Sequence, residues 1–317
     1  MAVSANVTYT GKGIAESFED VIFNISPEDT PLLSMAKRLS AGQTYHQWQT
    51  DALASAATNA QVEGDDGSFA TLAATTVLGN YTQIARKNVQ ISGTYDVVKK
   101  YGRKSEVAYQ LMKAGKEMKR DMEYALVRNQ ASSAGGATTA RTSAGIESWI
   151  VNRVLATGST AGSTPGFSGG TVVAPTDGTS VTFVEADLKA ALQLAWLDGG
   201  EPTTILMSAK NKAWFSNFAG IATKYNQVNG TNQATITGAA DVYVSDFGNH
   251  TVKLDRFMRD QAVLCLDPNY VGVATLRPME KTELAKTGDS QKWQLVTEFA
   301  LVVQNPDGHA KIQNTGA

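Results

Sequence analysis

Three groups of residues have types and spacings that could do chemistry. Gly11-Lys12-Gly13 follows the β-favouring residues 7–10 and leads into Ile14-Ala15-Glu16. A strand, a glycine turn and a helix start can cradle a pyrophosphate on backbone N–H groups. Here Glu16 stands where a small residue is needed and puts a carboxylate where the anion would sit. The segment therefore reads as an arm turn and a helix start. Glu63-Gly64-Asp65-Asp66-Gly67 has the acidity of a calcium loop but lacks the full ligand spacing, so it reads as a solvated turn. Cys265 lies in Ala-Val-Leu-Cys-Leu, an apolar strand that suits an inert buried thiol, not a nucleophile. His46, His250 and His309 are far apart, with no H-E-x-x-H or C-x-x-C beside them. No catalytic residue, metal site or cofactor is expected.

The elements that would position these residues are clearer. Val107, Leu111, Ala114, Met118, Met122 and Ala125 recur at steps of three and four, which predicts one long helix over 104–130. Ser105 is its expected N-cap, and Lys113/Glu117 and Lys119/Glu123 are spaced as i,i+4 ion pairs. Gly115 weakens the helix unless packing or a close backbone approach compensates. Ahead of it, residues 44–50 read as a strand, and 71–78 with 81–94 as a long two-stranded excursion. Such a hairpin is not stable alone in water and needs something to lie on.

Residues 131–180 hold 34 Ala, Gly, Ser or Thr and four charged residues, which resembles linker or extended-loop material. Trp149, Ile150, Val151, Val154 and Leu155 form an apolar island within it. Residues 181–270 read as an α/β unit. Its first helix should be opened by a Thr182/Glu185 capping box, its second capped by Ser208, and a hairpin should turn at Gly248-Asn249. Residues 271–317 read as an antiparallel meander, with a long strand over 293–304 and a return strand over 309–313.

The chain has 317 residues and 28 Lys+Arg against 30 Asp+Glu, a net charge of −2. That balance excludes a polybasic nucleic-acid coat or a basic membrane-surface protein. No apolar run approaches the roughly 18 residues of a membrane span, and the first 13 residues do not read as a signal peptide. One cysteine rules out an intrachain disulfide framework and fits a reducing compartment. Charge is unevenly placed. Residues 13–36 and 63–66 are acidic, whereas 97–130 carry nine Lys/Arg and four Asp/Glu. Either these are ordinary solvated faces or they mark complementary contacts within or between subunits.

The succession Ile25-Ser26-Pro27-Glu28-Asp29-Thr30-Pro31-Leu32-Leu33-Ser34, Gln47-Trp48-Gln49-Thr50-Asp51 and Val62-Glu63-Gly64-Asp65 resembles one family of tailed-bacteriophage major capsid (major head) proteins. Asn80-Tyr81-Thr82-Gln83-Ile84, Ser92-Gly93-Thr94, Ala108-Tyr109-Gln110 and Lys119-Arg120-Asp121-Met122-Glu123 continue the match. It is dense over residues 18–150 and follows only the order of elements beyond. The resemblance implies an α+β chain with the Hong Kong 97-type capsid fold. Residues 1–50 would be an N-terminal arm and the strand leading from it, and 51–96 an extended β-hairpin loop. Residues 97–184 would be a peripheral domain with the spine helix at 104–130, and 185–270 an axial domain. Residues 271–317 would be a meander returning to the peripheral domain.

The implied function is structural and non-catalytic. Hexamers and pentamers of the chain would form an icosahedral shell around double-stranded DNA, assembled in the host bacterial cytoplasm. Implied partners are further copies of itself, portal, scaffold and decoration proteins, and packaged DNA held without sequence reading; no membrane is involved. Subunit contacts are expected at Glu19, Asp20 and Phe23 on the arm, and at Glu63, Asp65, Asp66, Arg86 and Lys87 on the loop. On the helix they are expected at Lys119 and Arg120. Some members of the wider fold crosslink a loop lysine to an asparagine. Lys87 lies in the corresponding region, but no matching motif accompanies it, so that chemistry is not carried over. Two other readings stay open. A tail-tube subunit would be shorter and β-dominated, and a nucleotide enzyme would rest on Gly11-Lys12-Gly13 alone.

Overall fold

The computed structural model describes residues 26, 28–64, 66–67, 71–72, 74–218 and 242–316. The glycine turn at 11–13 and the expected contacts Glu19, Asp20, Phe23 and Asp65 lie outside those residues. In chain order the first elements are α1 (Pro31–Met35), β1 (Lys37–Ser40), β2 (Tyr45–Thr50), β3 (Thr76–Tyr81) and β4 (Gln83–Ser92). Next come α2 (Gly93–Val97), α3 (Glu106–Val127), α4 (Ile146–Trp149), β5 (Arg153–Leu155), β6 (Gly166–Ser168) and β7 (Thr171–Val173). Then follow α5 (Glu185–Leu197), β8 (Thr204–Met207), α6 (Ala209–Ser216), β9 (Val242–Ser245) and β10 (Gly248–Leu254). The last are β11 (Ala262–Leu266), β12 (Val271–Leu284), β13 (Ser290–Val303) and β14 (Ala310–Gln313).

A six-stranded sheet, ordered β5-β14-β11-β8-β10-β9, is buried on both faces. Side chains alternate along a strand, and its centre shows the consequence. Ile205, Met207, Val263 and Cys265 pack against Leu188, Ala191, Leu192 and Ala195 of α5. Leu206, Leu264 and Leu266 face the other way, onto a core with Met122 and Leu126 of α3 and Trp149. Two-sided burial is why β8 and β11 read as continuous apolar runs, not as alternating ones. Cys265 is fully buried, and burial pushes its thiol up to about 12.

A second sheet, ordered β1-β12-β13-β4, is built on the long β12–β13 hairpin. The ladder shifts register on either side of Arg277, next to Pro278, which has no N–H to donate. The outer half of this sheet is covered by α3, through Ala114, Met118 and Leu111 against Leu295, Ala85 and Val89. Ser105 caps α3 as expected, accepting from Ala108 N–H at 3.3 Å, although the helix is shorter than 104–130. Around Gly115 there is neither tight packing nor close backbone, since a Cβ there would meet only Leu295 Cδ2 at 4.0 Å.

Several expectations need correction. Residues 71–78 and 81–94 do not pair with each other. β3 pairs with β2, while β4 pairs with β13, some 200 residues further along. Thr82, fully buried, sits between them and bonds Glu298 Oε1 at 2.7 Å, so the chain switches sheets there. The cover that β4 needed is therefore intramolecular. Residues 309–313 do not return to a meander, because β14 inserts between β5 and β11. The opening of α5 is not at Thr182. Asp187 accepts from Val184 N–H at 3.1 Å, and Thr157 also donates to this carboxylate.

Nor does residue composition make 131–180 a linker. Ser143, Ala144, Ile146, Ser148, Trp149 and Ile150 are buried. Asn80 binds this segment to β13, donating to Leu301 O at 2.8 Å while Ala144 N–H donates to Asn80 Oδ1 at 3.0 Å. Gly145 is required there, because a Cβ would lie 1.8 Å from Arg128 O at the end of α3.

Candidate assembly surfaces

β2 and β3 form a two-stranded ribbon whose inner end is anchored by Trp48, which contacts Trp149 at 5.3 Å between ring centroids. Beyond the ribbon, the described residues between 51 and 75 have neither helix nor strand and are exposed. Small residues such as Ala52, Ala54, Ala56 and Ala57 bury little area, so this limb has little apolar surface to fold onto the body. Its large apolar side chains stand in solvent, with Leu53 at 99% and Leu72 at 91% exposure. Val62, Glu63 and Asp66 are also exposed. One exposed leucine is ordinary; here a whole stretch of chain is uncovered.

The predicted charged contacts are distributed differently from expectation. Lys87 of β4 reaches α3, where its Nζ lies 2.6 Å from Asp121 Oδ2. Arg86, one residue earlier on the opposite face, points to solvent. Lys116 of α3 pairs with Glu28 at 2.7 Å, so one acidic residue ahead of α1 does meet the basic helix, within one chain. Lys119 is exposed on the outer face of α3. Arg120 is half-buried and stacks its guanidinium over Phe257, 5.6 Å from the ring centre. Of the expected i,i+4 pairs, Lys113/Glu117 is at 4.0 Å, whereas Glu123 turns inward and serves α1 instead of Lys119.

Two exposed apolar groups went unnoticed in the sequence. Tyr95, Val97, Val98 and Tyr101 line the turn from α2 into α3. At the end of α5, Trp196 and Leu197 are exposed, and Val244 is exposed on edge strand β9. Trp196 contacts Phe247 at 5.9 Å. Their signal was available: Trp196-Leu197 ends an apolar stripe just before Asp198-Gly199-Gly200, off the buried positions 188, 191, 192 and 195. Among the described residues, no group of three or more His, Cys, Asp or Glu could hold a metal ion.

The sequence profile of the SU10 major capsid protein family matches residues 3–316. The chain is 31% identical to the major capsid protein of Escherichia phage Phieco32, over 95% of this chain and 94% of that one. Among solved structures, it resembles the capsid asymmetric unit of cyanophage A-1(L), with TM-score 0.68 and 14% identity over 95% and 97% of the two chains. The capsid of the native GTA particle gives TM-score 0.62 and 14% identity over 100% and 99%. The sheets and the long helix are thus those of an α+β phage capsid fold, and the chain belongs to the SU10 major capsid protein family, whose members form the phage capsid shell.

Proposed function

We propose that this chain builds an icosahedral phage head through hexamers and pentamers, with the limb at 51–75 laid across a neighbouring copy. The observation that carries this reading is the limb itself, which leaves Leu53, Val62 and Leu72 in water. A shell subunit repeats each contact many times, so a modest contact per copy suffices. In this reading the arm comprises 1–50, the loop 51–96 and the peripheral domain 97–184. The axial domain comprises 185–270; the β12–β13 hairpin at 271–303 returns to the peripheral domain, while β14 joins the six-stranded sheet. Glu63, Asp65 and Asp66 on the limb meet a basic face that includes Lys119, while Glu19, Asp20 and Phe23 act on the arm. Arg86 is exposed on β4 and has no ion pair among the described residues. Lys87 and Arg120, each engaged within its own chain, contribute by shaping that surface.

The role is structural and non-catalytic. Assembly takes place in the bacterial cytoplasm, with scaffold, portal and decoration proteins as partners and packaged double-stranded DNA inside. A chain with net charge −2 holds that DNA weakly and without reading bases. The test is electron microscopy of the purified full-length protein beside a Leu53→Asp/Leu72→Asp variant. Shells from the parent and soluble, natively folded subunits from the variant are expected. Equal shell yield from both would overturn the limb's role.

A further inference from the structure

Helix α1 is one and a half turns long and begins at Pro31, with no acidic residue in its first turn and no side-chain cap from Thr30. Its first free N–H groups, on Leu32 and Leu33, are buried and need an acceptor from elsewhere. Glu123, one-third of the chain away on α3, supplies both. Its Oε1 accepts from Leu32 N–H at 2.6 Å and its Oε2 from Leu33 N–H at 2.8 Å. A second carboxyl, that of Asp255, lies within charge and hydrogen-bond reach of Glu123. Asp255, just past β10, is buried; its Oδ1 accepts from Phe257 N–H at 2.8 Å. Its Oδ2 is buried with no hydrogen-bond partner among the described residues.

Two buried carboxylates side by side, without a cation, are not sustainable. Among the described residues, four neighbouring arginines are engaged elsewhere. On α3, Arg120 lies over the Phe257 ring and Arg128 donates to Phe257 O at 3.1 Å. Beyond α1, Arg38 donates to Leu33 O at 3.1 Å. Past Asp255, Arg259 pairs with Glu147 and Asp177. Glu28, Asp29 and Lys253 line a groove of about 490 Å³ beside the start of α1.

We infer that Glu123 and Asp255 share one proton, and that this proton is a pH-sensitive latch holding α1 to the long helix and the central sheet. With the proton present, Glu123 carries it and donates it to Asp255 while still accepting the two N–H groups of α1. When the proton leaves for solvent, two adjacent anions remain, and the junction relieves the repulsion by parting. Burial, then the Asp255 charge, push the Glu123 carboxyl up to about 8 against the pull of the two N–H bonds; burial also raises Asp255. A carboxyl raised in the folded protein contributes stability that is complete below its ordinary value of 4.5 and is lost as pH rises through about 8. The latch therefore loosens toward alkaline pH.

Hydrogen exchange on the full-length protein tests this, with protection corrected for the intrinsic pH dependence of exchange. Between pH 6.5 and pH 9.5, Leu32 and Leu33 should lose about tenfold or more of their protection, since each pH unit of linkage changes an equilibrium about tenfold. Mid-helix amides of α3 should not change. Asp255→Asn supplies a donor for Glu123 and removes the second charge, so it should stay protected at both pH values. Isotope-edited infrared spectra of the unaltered protein give a variant-free check. One buried protonated carboxyl should be present at pH 6.5 and absent at pH 9.5. Unchanged protection of Leu32 and Leu33, or no protonated carboxyl at pH 6.5, would overturn the proposal.

Discussion

Lys87 and Asp121 form an ion pair at 2.6 Å between β4 and the outer face of α3. It joins an element expected to extend as a loop to the helix expected to receive a neighbour's acidic contacts. Both side chains are partly exposed, so water screens the attraction, and pairs of this kind contribute roughly 0–1 kcal/mol. Lys87→Met should therefore lower thermal stability only slightly, leaving subunit folding intact by circular dichroism. A collapse of folding would show that β4 relies on this pair instead of on Ala85, Val89 and Leu295.

Reversal of charge on the outer face of α3 separates assembly from folding. Lys119→Glu with Arg120→Glu should reduce particle yield and change its dependence on salt if neighbouring acidic residues meet this face. Arg120 also stacks on Phe257, so Lys119→Glu alone is the cleaner arm. Sedimentation of assembly mixtures at low and high salt reads the outcome, and an unchanged yield at both would remove this face from the contact.

Two glycines should respond in opposite directions. At Gly115, an alanine Cβ enters ordinary contact distance of Leu295 Cδ2 and removes the helix penalty of glycine, so Gly115→Ala should stabilise by up to about 1 kcal/mol. At Gly145, the same methyl meets the Arg128 carbonyl at 1.8 Å, and the tight junction between the end of α3 and α4 must shift. Gly145→Ala should destabilise by several kcal/mol, within the range of overpacked cores, on the order of 1–3 or more. Denaturant midpoints of both variants check the pair.

His309 gives the subunit an acid-side dependence opposite in sign to that of the carboxyl pair. Burial lowers it to about 4, against an ordinary value of 6.5, and Asp267 only partly opposes this. The folded protein thus holds fewer protons than the unfolded chain between those values. Stability falls as pH drops from 6.5 to 4, by about 1.4 kcal/mol per unit at most. His309 Nδ1 accepts from Asp267 N–H at 3.1 Å, so His309→Gln keeps an acceptor while removing the titration. The difference in stability between parent and variant should narrow across that window; a constant difference would refute the assignment.

The long helix was legible because its stripe has the period of a helix with one exposed face, and Ser105 marks its start. The limb was legible as uncovered chain. Strand partners were not. Gln83 faces Phe299, and Ser92 faces Ser290, in a pairing that no local pattern records. A single buried Thr82, held by Glu298, moves the chain from one sheet to another, and its neighbours Tyr81 and Gln83 read as one continuous strand. Ser143 was hidden for the opposite reason. Its surroundings have the composition of a linker, yet its hydroxyl accepts Leu301 N–H at 3.0 Å. Glu123 was read as half of a surface pair because i,i+4 spacing is visible in sequence, whereas the bare start of α1, some 90 residues away, is not.

The placement of β14 bears on the order of events during synthesis. Residues 310–313 fill a slot between β5 and β11, so a ribosome-bound chain short of them exposes two raw strand edges at the heart of the molecule. Only with residues 310–313 in place does the sheet run unbroken from β5 to β11.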